Sequence, residues 1–301
     1  MTPLKPLKPL EPLEPLEPLE PLEPLEPLEL AYSPCPNDTF IFTPWVEGRI
    51  PGAPHVVERY EDIDTLNQIA LKGEPDIVKV SFHALGHLRD KYWLLRSGGA
   101  LGRGCGPLVV AKTAFEKSAL ASKTIAIPGK LTTAALLVRL FAPELQEANV
   151  IVMPFDRIMP AVRDGRVDAG VIIHESRFTY QRHGLTQIVD LGEWWERETG
   201  SAIPLGGILM RRDLGDDLVR RTEKALADSV DFAFAHTDLV WPTVRKHAQE
   251  MEDEVMRQHI ALYVNDFTRD YGPEGEAAIA RLLSTAEQLG IVPRSDHRLY
   301  V

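Results

Sequence analysis

His174 is the residue of this sequence best suited to acid–base chemistry. It directly follows the apolar run Ala169–Ile173, so a strand would carry it to the edge of a sheet, beside Glu175 and Arg177. An imidazole titrates near neutral pH and can therefore act as a general base or a general acid. A histidine that only closes a strand through backbone hydrogen bonds would show the same pattern, and Glu175 is the alternative base.

A loop that enters a helix near the start of the chain could present hydrogen-bond donors to a ligand. The segment Ser33–Phe40 (SPCPNDTF) follows the first strand, and its two prolines stiffen it. Asn37 or Asp38 can cap the helix that follows, and the free amides at such a helix start suit an anionic or carbonyl ligand. A turn with a cap and no ligand is the alternative. Cys35 has no basic neighbour in the loop, which favours a packed or pocket-lining thiol over a nucleophile.

A second loop of the same kind precedes a helix in the middle of the chain. Thr132 and Thr133 open a predicted helix over Ala134–Phe141, after a strand that ends at Ile127. Their hydroxyl groups and the free amides could bind a carboxylate. An ordinary helix cap explains the pattern equally well. The spacing differs from that of a P-loop, which needs Gly-x4-Gly-Lys-Ser/Thr.

Other patterns favour structural roles. His83 and His87 are four residues apart, as zinc ligands on a helix often are, but no glutamate adjoins His83, so packing or surface histidines are predicted. The glycine-rich segment 98–106 lacks the third glycine of a dinucleotide-binding loop and is interpreted as a hinge or turn. Two cysteines are too few to hold a metal alone. We therefore expect neither a metal nor a nucleotide cofactor.

An α/β fold must position these candidates. From Leu30 onward, short apolar segments alternate with amphipathic ones, which is typical of α/β architecture with largely parallel strand pairing. Nine strands are predicted: Leu30–Tyr32, Val56–Arg59, Ile77–Val80, Trp93–Arg96, Leu108–Ala111, Thr124–Ile127, Val150–Met153, Ala169–Ile173 and Ile208–Arg211. After Met210 the pattern becomes mostly helical.

An internal correspondence predicts two similar lobes. Residues 71–81 (LKGEPDIVKVS) align with residues 163–173 (RDGRVDAGVII), each with a helix end, a glycine, an aspartate and a buried strand. We expect a first lobe of residues 30–112 and 202–301 and a second lobe of residues 113–201. The strand ends would face an interdomain cleft, a common place for a small-molecule site. Lys79 and Ser81 stand at the first strand end, as His174 and Glu175 do at the second.

Composition narrows the class of protein. The chain has 301 residues, of which 44% are hydrophobic and 26% charged, the balance of a globular protein. Its net charge is −11 and it has no basic run, which argues against nucleic acid as a partner. No apolar run is long enough to cross a bilayer. The two cysteines favour a reducing cytoplasm as the location. Nothing in the sequence predicts an oligomeric state.

The first 29 residues differ from the rest. Residues 3–29 are nine triplets of Pro-Leu-Lys or Pro-Leu-Glu. A proline at every third position excludes a helix or an inner strand and matches the period of polyproline II. The segment lacks the continuous apolar stretch of a signal peptide. We interpret residues 1–29 as a disordered low-complexity tail.

Taken together, these motifs resemble the 1,4-dihydroxy-6-naphthoate synthase family of the futalosine route to menaquinone. The likeness runs from about Leu30 to the C-terminus. Its most specific part is the SPCPNDTF segment, and it is supported by the following matches: Lys79-Val80-Ser81, Thr132-Thr133, Ile173-His174-Glu175 with Arg177-Phe-Thr-Tyr180, Ile203-Pro-Leu-Gly206 and Leu262-Tyr-Val-Asn265.

The resemblance implies a two-lobed type II periplasmic-binding-protein-like fold that works as a lyase inside the cell. It implies that cyclic dehypoxanthine futalosine is cleaved to 1,4-dihydroxy-6-naphthoate. The residue matching His174 would be the base, and residues matching Lys79–Ser81 and Thr132–Thr133 would line the substrate site with Ser33, Cys35, Asn37 and Asp38. The alternatives are the sister enzyme chorismate dehydratase and a non-catalytic solute-binding protein. Neither a metal nor a cofactor is implied.

Overall fold

The computed structural model describes residues 26–248 and 252–301, in which two β-sheets are flanked by helices. The strands are β1 (Leu28–Tyr32), β2 (Val56–Tyr60), β3 (Ile77–Ser81), β4 (Tyr92–Leu94), β5 (Ala100–Gly102), β6 (Leu108–Ala111), β7 (Ile125–Ile127), β8 (Val150–Val152), β9 (Ala169–Ile172), β10 (Thr186–Asp190) and β11 (Ile203–Arg211). The α-helices are α1 (Pro36–Val46), α2 (Ile63–Lys72), α3 (Phe82–Leu85), α4 (Thr133–Phe141), α5 (Phe155–Arg163), α6 (Ser176–Thr179), α7 (Leu191–Thr199), α8 (Asp216–Ala235), α9 (Thr237–His247), α10 (Asp253–Tyr263), α11 (Asp266–Arg269) and α12 (Gly272–Gln288).

The two sheets have related topologies. The first has the order β2-β1-β3-β11-β4, with β5 also paired to β11, and the second has the order β10-β6-β9-β7-β8. In the first sheet β1 is parallel to β2 and β3, while β11 is antiparallel to its neighbours. In the second, β7 is parallel to β8 and β9, while β6 is antiparallel to its neighbours.

The prediction of largely parallel pairing is therefore only partly right. The strands β6 and β11 are antiparallel because the chain enters each of them from the other sheet, without a crossover helix on the same sheet. The sequence pattern also missed β5 and β10. β5 is a three-residue strand inside the glycine-rich segment that was interpreted as a hinge.

The internal correspondence is present in the structure. Gly73 and Gly165 end equivalent helical segments with φ of 78° and 72°, in the left-handed region that glycine tolerates. The Asp76 carboxylate accepts a hydrogen bond from the amide of Glu29 in β1 at 2.9 Å. The Asp168 carboxylate accepts one from the amide of Thr124, just before β7, at 2.9 Å. Asp76 and Asp168 therefore have the same structural role. Each accepts a backbone hydrogen bond at the start of the neighbouring parallel strand.

The chain passes between the sheets twice. Residues up to 102 and β11 form the first sheet, and the strands from β6 to β10 form the second. β6 lies inside the predicted first lobe of residues 30–112 yet pairs in the second sheet. We propose that the crossings lie at residues 103–107 and 191–202. The discontinuous division into lobes stays a prediction.

The two sheets share one apolar core, to which helices α4 and α7 also contribute. One buried cluster contains Val80 and Leu209 from the first sheet together with Val109 and Val171 from the second. The apolar core is therefore continuous from one sheet to the other. In residues 26–248 and 252–301, no helix combines the length and the apolar character needed to span a bilayer.

Strand β1 begins inside the segment of residues 1–29 that was interpreted as a disordered tail. Leu28 is buried in the first sheet and Glu29 donates to Asp76, so the last two residues of the predicted tail belong to the fold. Residues 1–25 lie outside the described residues.

We predict that deletion of residues 2–25 leaves the unfolding free energy and the activity nearly unchanged. Deletion of residues 2–29 is expected to lower the unfolding free energy by about 2–4 kcal/mol, from the lost burial of Leu28 and the lost strand hydrogen bonds. Urea denaturation of the two truncated proteins provides the comparison. Equal stability of both would show that Leu28 and Glu29 contribute nothing, and a large loss from the shorter deletion would show that the tail docks.

Candidate active site

A cavity of about 590 Å³, part of it open to solvent, lies where the two sheets face each other. Residues from both sheets and from the starts of α1 and α4 line it, together with two residues of α10. The lining residues are Asn37, Ile63, Lys79, Ser81, Ala100, Cys105, Pro107, Thr132, Thr133, Ala134, Ile173, His174, Leu205, Gly206, His259 and Tyr263.

His174 lies at the carboxyl end of β9 in a strained backbone conformation. Its φ of 55° makes it the one non-glycine residue with positive φ among residues 26–248 and 252–301. Such conformations cost energy and are concentrated at functional sites. The imidazole Nδ1 is 3.6 Å from the Sγ atom of Cys35, and the ring contacts Phe155 at 5.2 Å between centroids. Burial lowers the pKa of His174 to about 4, so the ring is neutral at pH 7 and can accept a proton.

The SPCPNDTF segment builds a buried polar network under the cavity. The carboxylate of Asp38 forms an ion pair with the Lys79 ammonium group, and both side chains are almost completely buried. Asp38 also accepts hydrogen bonds from the Ser33 hydroxyl at 2.6 Å and from the Asn37 amide at 2.7 Å. These partners satisfy the charge of Asp38, as a buried carboxylate requires. The network fixes the floor of the cavity.

The prediction that Asn37 or Asp38 caps the first helix is wrong. The residue at the cap position of α1 is Cys35, which makes no side-chain cap hydrogen bond, and Pro36 occupies the first helical turn. Asn37 and Asp38 lie inside that turn and point into the buried network. Pro36 needs no amide partner at this position, which allows the helix to begin without a polar cap.

Successive side chains at the end of β3 point alternately into the cavity and into the apolar core. Lys79 and Ser81 line the cavity, whereas the Val80 side chain packs in the apolar core. Asn67 holds Ser81 in place: its carbonyl accepts from the Ser81 amide at 2.9 Å, and its NH₂ donates to the Ser81 hydroxyl oxygen at 3.3 Å. Because that oxygen accepts from Asn67, the Ser81 hydroxyl hydrogen remains available to a ligand in the cavity.

The start of α4 supplies donors from the second lobe. Thr132 caps the helix, because its hydroxyl accepts from the amide of Ala135 at 3.1 Å. Thr133 donates its hydroxyl to the carbonyl of Leu205 at 2.7 Å, which ties α4 to β11 of the first sheet. The first two amides of the helix, those of Thr133 and Ala134, lack intrahelical partners, so this end of α4 can bind an anionic group in the cavity.

The predicted site residues take three kinds of position. Those on the main cavity are Asn37, Lys79, Ser81, Thr132, Thr133 and His174. Ser33 and Cys35 line an adjoining pocket, partly open to solvent, which shares Ile63 and His174 with the first. Asp38 and Val80 are not among the lining residues: Asp38 is ion-paired with Lys79, and the Val80 side chain lies in the apolar core.

Cys35 and His83 are both buried. Burial raises the pKa of the Cys35 thiol well above its usual range, so it stays protonated. His83 is buried, and its Nδ1 atom is 3.2 Å from the carbonyl oxygen of Thr132, across the two lobes. Among the described residues, no group of three or more His, Cys, Asp or Glu side chains could hold a metal.

Sequence reasoning missed His259, which lies on α10 with Tyr263 one turn later. His259 is fully buried, lines the cavity and stacks nearly parallel to His174, with 6.1 Å between ring centroids. The match at Leu262-Tyr-Val-Asn265 pointed to this part of the chain. The i, i+4 spacing of a histidine and a tyrosine is the additional signal that could have found it.

The buried histidines predict a loss of stability in acid. Burial lowers the pKa of His83 and of His174 to about 4 and that of His259 well below its usual value. The unfolded chain therefore binds more protons than the folded chain from about pH 6.5 down to about pH 4. Each of these histidines contributes stability that is fully present above this window and is lost as the pH falls through it.

We predict that His83→Asn reduces the slope of the unfolding free energy against pH by about 1.4 kcal/mol per pH unit, the contribution of one proton. Asparagine keeps a polar group near the Thr132 carbonyl but does not titrate. The measurement is urea denaturation at about pH 7 and about pH 5. The control is a substitution of the exposed His55, which should leave the slope unchanged. A slope in His83→Asn equal to that of the wild type would contradict the prediction.

The fold and the interlobe cavity define a protein of type II periplasmic-binding-protein architecture. The alkanesulfonate-binding protein of Xanthomonas axonopodis aligns with it at a TM-score of 0.64 and 15% identity, over 89% of this chain and 94% of that chain. A structural-genomics target from Archaeoglobus fulgidus aligns at a TM-score of 0.83 and 35% identity, over 88% of this chain and 98% of that chain.

Sequence comparison gives the family. A family model described as menaquinone biosynthesis matches residues 28–288. A 1,4-dihydroxy-6-naphthoate synthase of Thermus thermophilus is 49% identical over 272 residues, which cover 90% of this chain and 98% of the relative. One of Streptomyces coelicolor is 50% identical over 268 residues, which cover 88% and 94%. The chain belongs to this family, whose members are enzymes of menaquinone biosynthesis.

Proposed function

We propose that this enzyme cleaves cyclic dehypoxanthine futalosine and releases 1,4-dihydroxy-6-naphthoate, with His174 as the general base. The observation that carries the proposal is the joint lining of one interlobe cavity by His174, Lys79, Ser81 and the first turn of α4. The names of relatives at about 50% identity support the choice of reaction.

The chain's own groups are suited to such a cleavage. A neutral imidazole can remove a proton, and the Ser81 hydroxyl and the Lys79 ammonium group can stabilise negative charge that develops on oxygen. The start of α4 can bind the carboxylate that the product retains. Aromatisation of the product provides a thermodynamic driving force. Because the reaction belongs to a biosynthetic pathway and the two cysteines are unpaired, we place the enzyme in the cytoplasm.

The reaction is tested against its closest rival by supplying substrates separately. Purified enzyme is incubated with cyclic dehypoxanthine futalosine and, in a second series, with chorismate. We expect turnover of the first compound only, detected by mass spectrometry of the products. Turnover of chorismate instead would assign the chain to the dehydratase reaction.

A further inference from the structure

We infer that His259 is a second substrate-binding residue, whose Nδ1 atom accepts a hydrogen bond from a hydroxyl group of the substrate. The inference rests on the proposed function for the identity of the substrate. Its structural basis is an unpartnered acceptor: His259 is 0% exposed, it lines the cavity, and its Nδ1 has no hydrogen-bond partner among the described residues. Buried polar atoms are rarely left unpaired, and this one differs from most in facing a cavity that a ligand can enter.

The network under the cavity determines which ring nitrogen of His259 carries the hydrogen. The Asn37 NH₂ group donates to the Asp38 carboxylate at 2.7 Å, which fixes the orientation of the Asn37 amide. The Asn37 carbonyl oxygen therefore faces His259 Nε2 at 2.9 Å. Only an N–H can pair with that oxygen, so Nε2 is protonated and Nδ1 of the neutral ring carries the lone pair. Nδ1 is thus an acceptor that needs a donor.

The ion pair of Asp38 and Lys79 has a further consequence through this chain of contacts. It holds the Asp38 carboxylate in place, Asp38 orients Asn37, and Asn37 sets the tautomer of His259. Asn37, Asp38 and Lys79 therefore make the Nδ1 atom of His259 on α10 a hydrogen-bond acceptor. Packing alone would accept either tautomer of His259. The hydrogen bonds of this network select one of them.

The position of His259 places this acceptor next to the reacting part of the substrate. Its ring is nearly parallel to that of His174, with 10° between the planes and 6.1 Å between the centroids. Tyr263 packs on the same ring at 4.7 Å and limits its movement. A hydroxyl bound by His259 would therefore lie near the group that His174 deprotonates. The acceptor would select substrates with a hydroxyl at that point.

Two matched substitutions separate this binding role from a structural one. In His259→Gln the side-chain NH₂ can replace Nε2 and keep the contact with Asn37, but the Nδ1 acceptor is lost. In His259→Asn the carbonyl oxygen can replace Nδ1 as acceptor, but the contact with Asn37 is lost. If the acceptor binds substrate, His259→Gln should raise KM for cyclic dehypoxanthine futalosine about 5- to 150-fold, the usual cost of an unpaired buried donor. His259→Asn should raise KM less than that, and kcat should change little in either variant.

The reverse order, with His259→Asn the more impaired, would show that the Asn37 contact alone matters and would overturn the inference. An unchanged KM in His259→Gln would also overturn it. A wild-type enzyme that does not turn over the compound would instead reject the proposed function, so the two failures are distinguishable.

A measurement on an enzyme that keeps His259 covers the case in which the glutamine variant does not fold. His174→Asn protein labelled with ¹⁵N in histidine, which is expected to convert the substrate only slowly, is titrated with 1,4-dihydroxy-6-naphthoate and with the substrate, and the added substitution His259→Asn assigns the resonance. We expect the unprotonated nitrogen of His259 to shift upfield when the substrate binds. A resonance that stays in place at saturation would overturn the inference.

Discussion

The substitution His174→Asn is expected to reduce turnover of cyclic dehypoxanthine futalosine by about 10²- to 10⁴-fold, the usual contribution of a general base. Asparagine has a similar volume and can hydrogen-bond, but it cannot accept a proton near neutral pH. It is also one of the few residues that tolerate a φ of 55°, so the backbone strain at this position does not confound the result. Steady-state kinetics at saturating substrate provide the measurement.

The binding of substrate should change little in His174→Asn, because a base that acts only in the transition state adds little to ground-state affinity. Thr133→Ala should instead weaken substrate binding more than it lowers turnover, because Thr133 ties the start of α4 to Leu205. Glu175→Gln is the matched comparison for the rival base. A turnover near that of the wild type in His174→Asn, together with a large loss in Glu175→Gln, would assign the base to Glu175.

The second large effect is expected on stability, from Asp38→Asn. This substitution leaves the buried ammonium group of Lys79 without its counter-ion, and breaking a buried pair in this way typically costs about 3–5 kcal/mol. The Ser33 and Asn37 hydrogen bonds to the carboxylate are weakened as well. Urea denaturation at neutral pH measures the loss of unfolding free energy.

Two controls test whether the loss of stability comes from the unpaired, buried charge of Lys79. Replacing both partners, in Asp38→Asn with Lys79→Met, removes the unpaired charge and should recover much of the stability lost in the single variant. The exposed pair of Lys224 and Asp228 on α8 should contribute less than about 1 kcal/mol, so Asp228→Asn should have little effect. A double variant no more stable than Asp38→Asn alone would contradict this account of the network.

Local sequence patterns were sufficient to place several candidate site residues at the ends of strands. Polar residues directly after an apolar run mark the end of a strand, which is why Ser81 and His174 could be placed at facing sheet edges. The repeated glycine and aspartate predicted the two related sheets because both copies use them for the same backbone geometry. Proline at the start of α1 misdirected the capping prediction, since it allows a helix to begin without a polar cap.

The rest of the site depends on contacts between distant residues, which a single sequence does not reveal. His259 pairs with Asn37 across 222 residues, and its neighbours on α10 give no sign of that partner. The antiparallel strands β6 and β11 depend on the path of the chain between the lobes, which local periodicity does not encode. Val80 was grouped with Lys79 and Ser81 by sequence proximity, although strand alternation directs its side chain into the core.

The central claim is that this cavity catalyses a reaction rather than only binding a ligand. The most direct test is a single-turnover experiment, in which cyclic dehypoxanthine futalosine is mixed with an excess of enzyme, quenched and analysed by mass spectrometry. The proposed function predicts complete conversion to 1,4-dihydroxy-6-naphthoate by the wild type and slow conversion by His174→Asn. Recovery of the intact compound from the wild type, bound but unchanged, would contradict it and favour a solute-binding role.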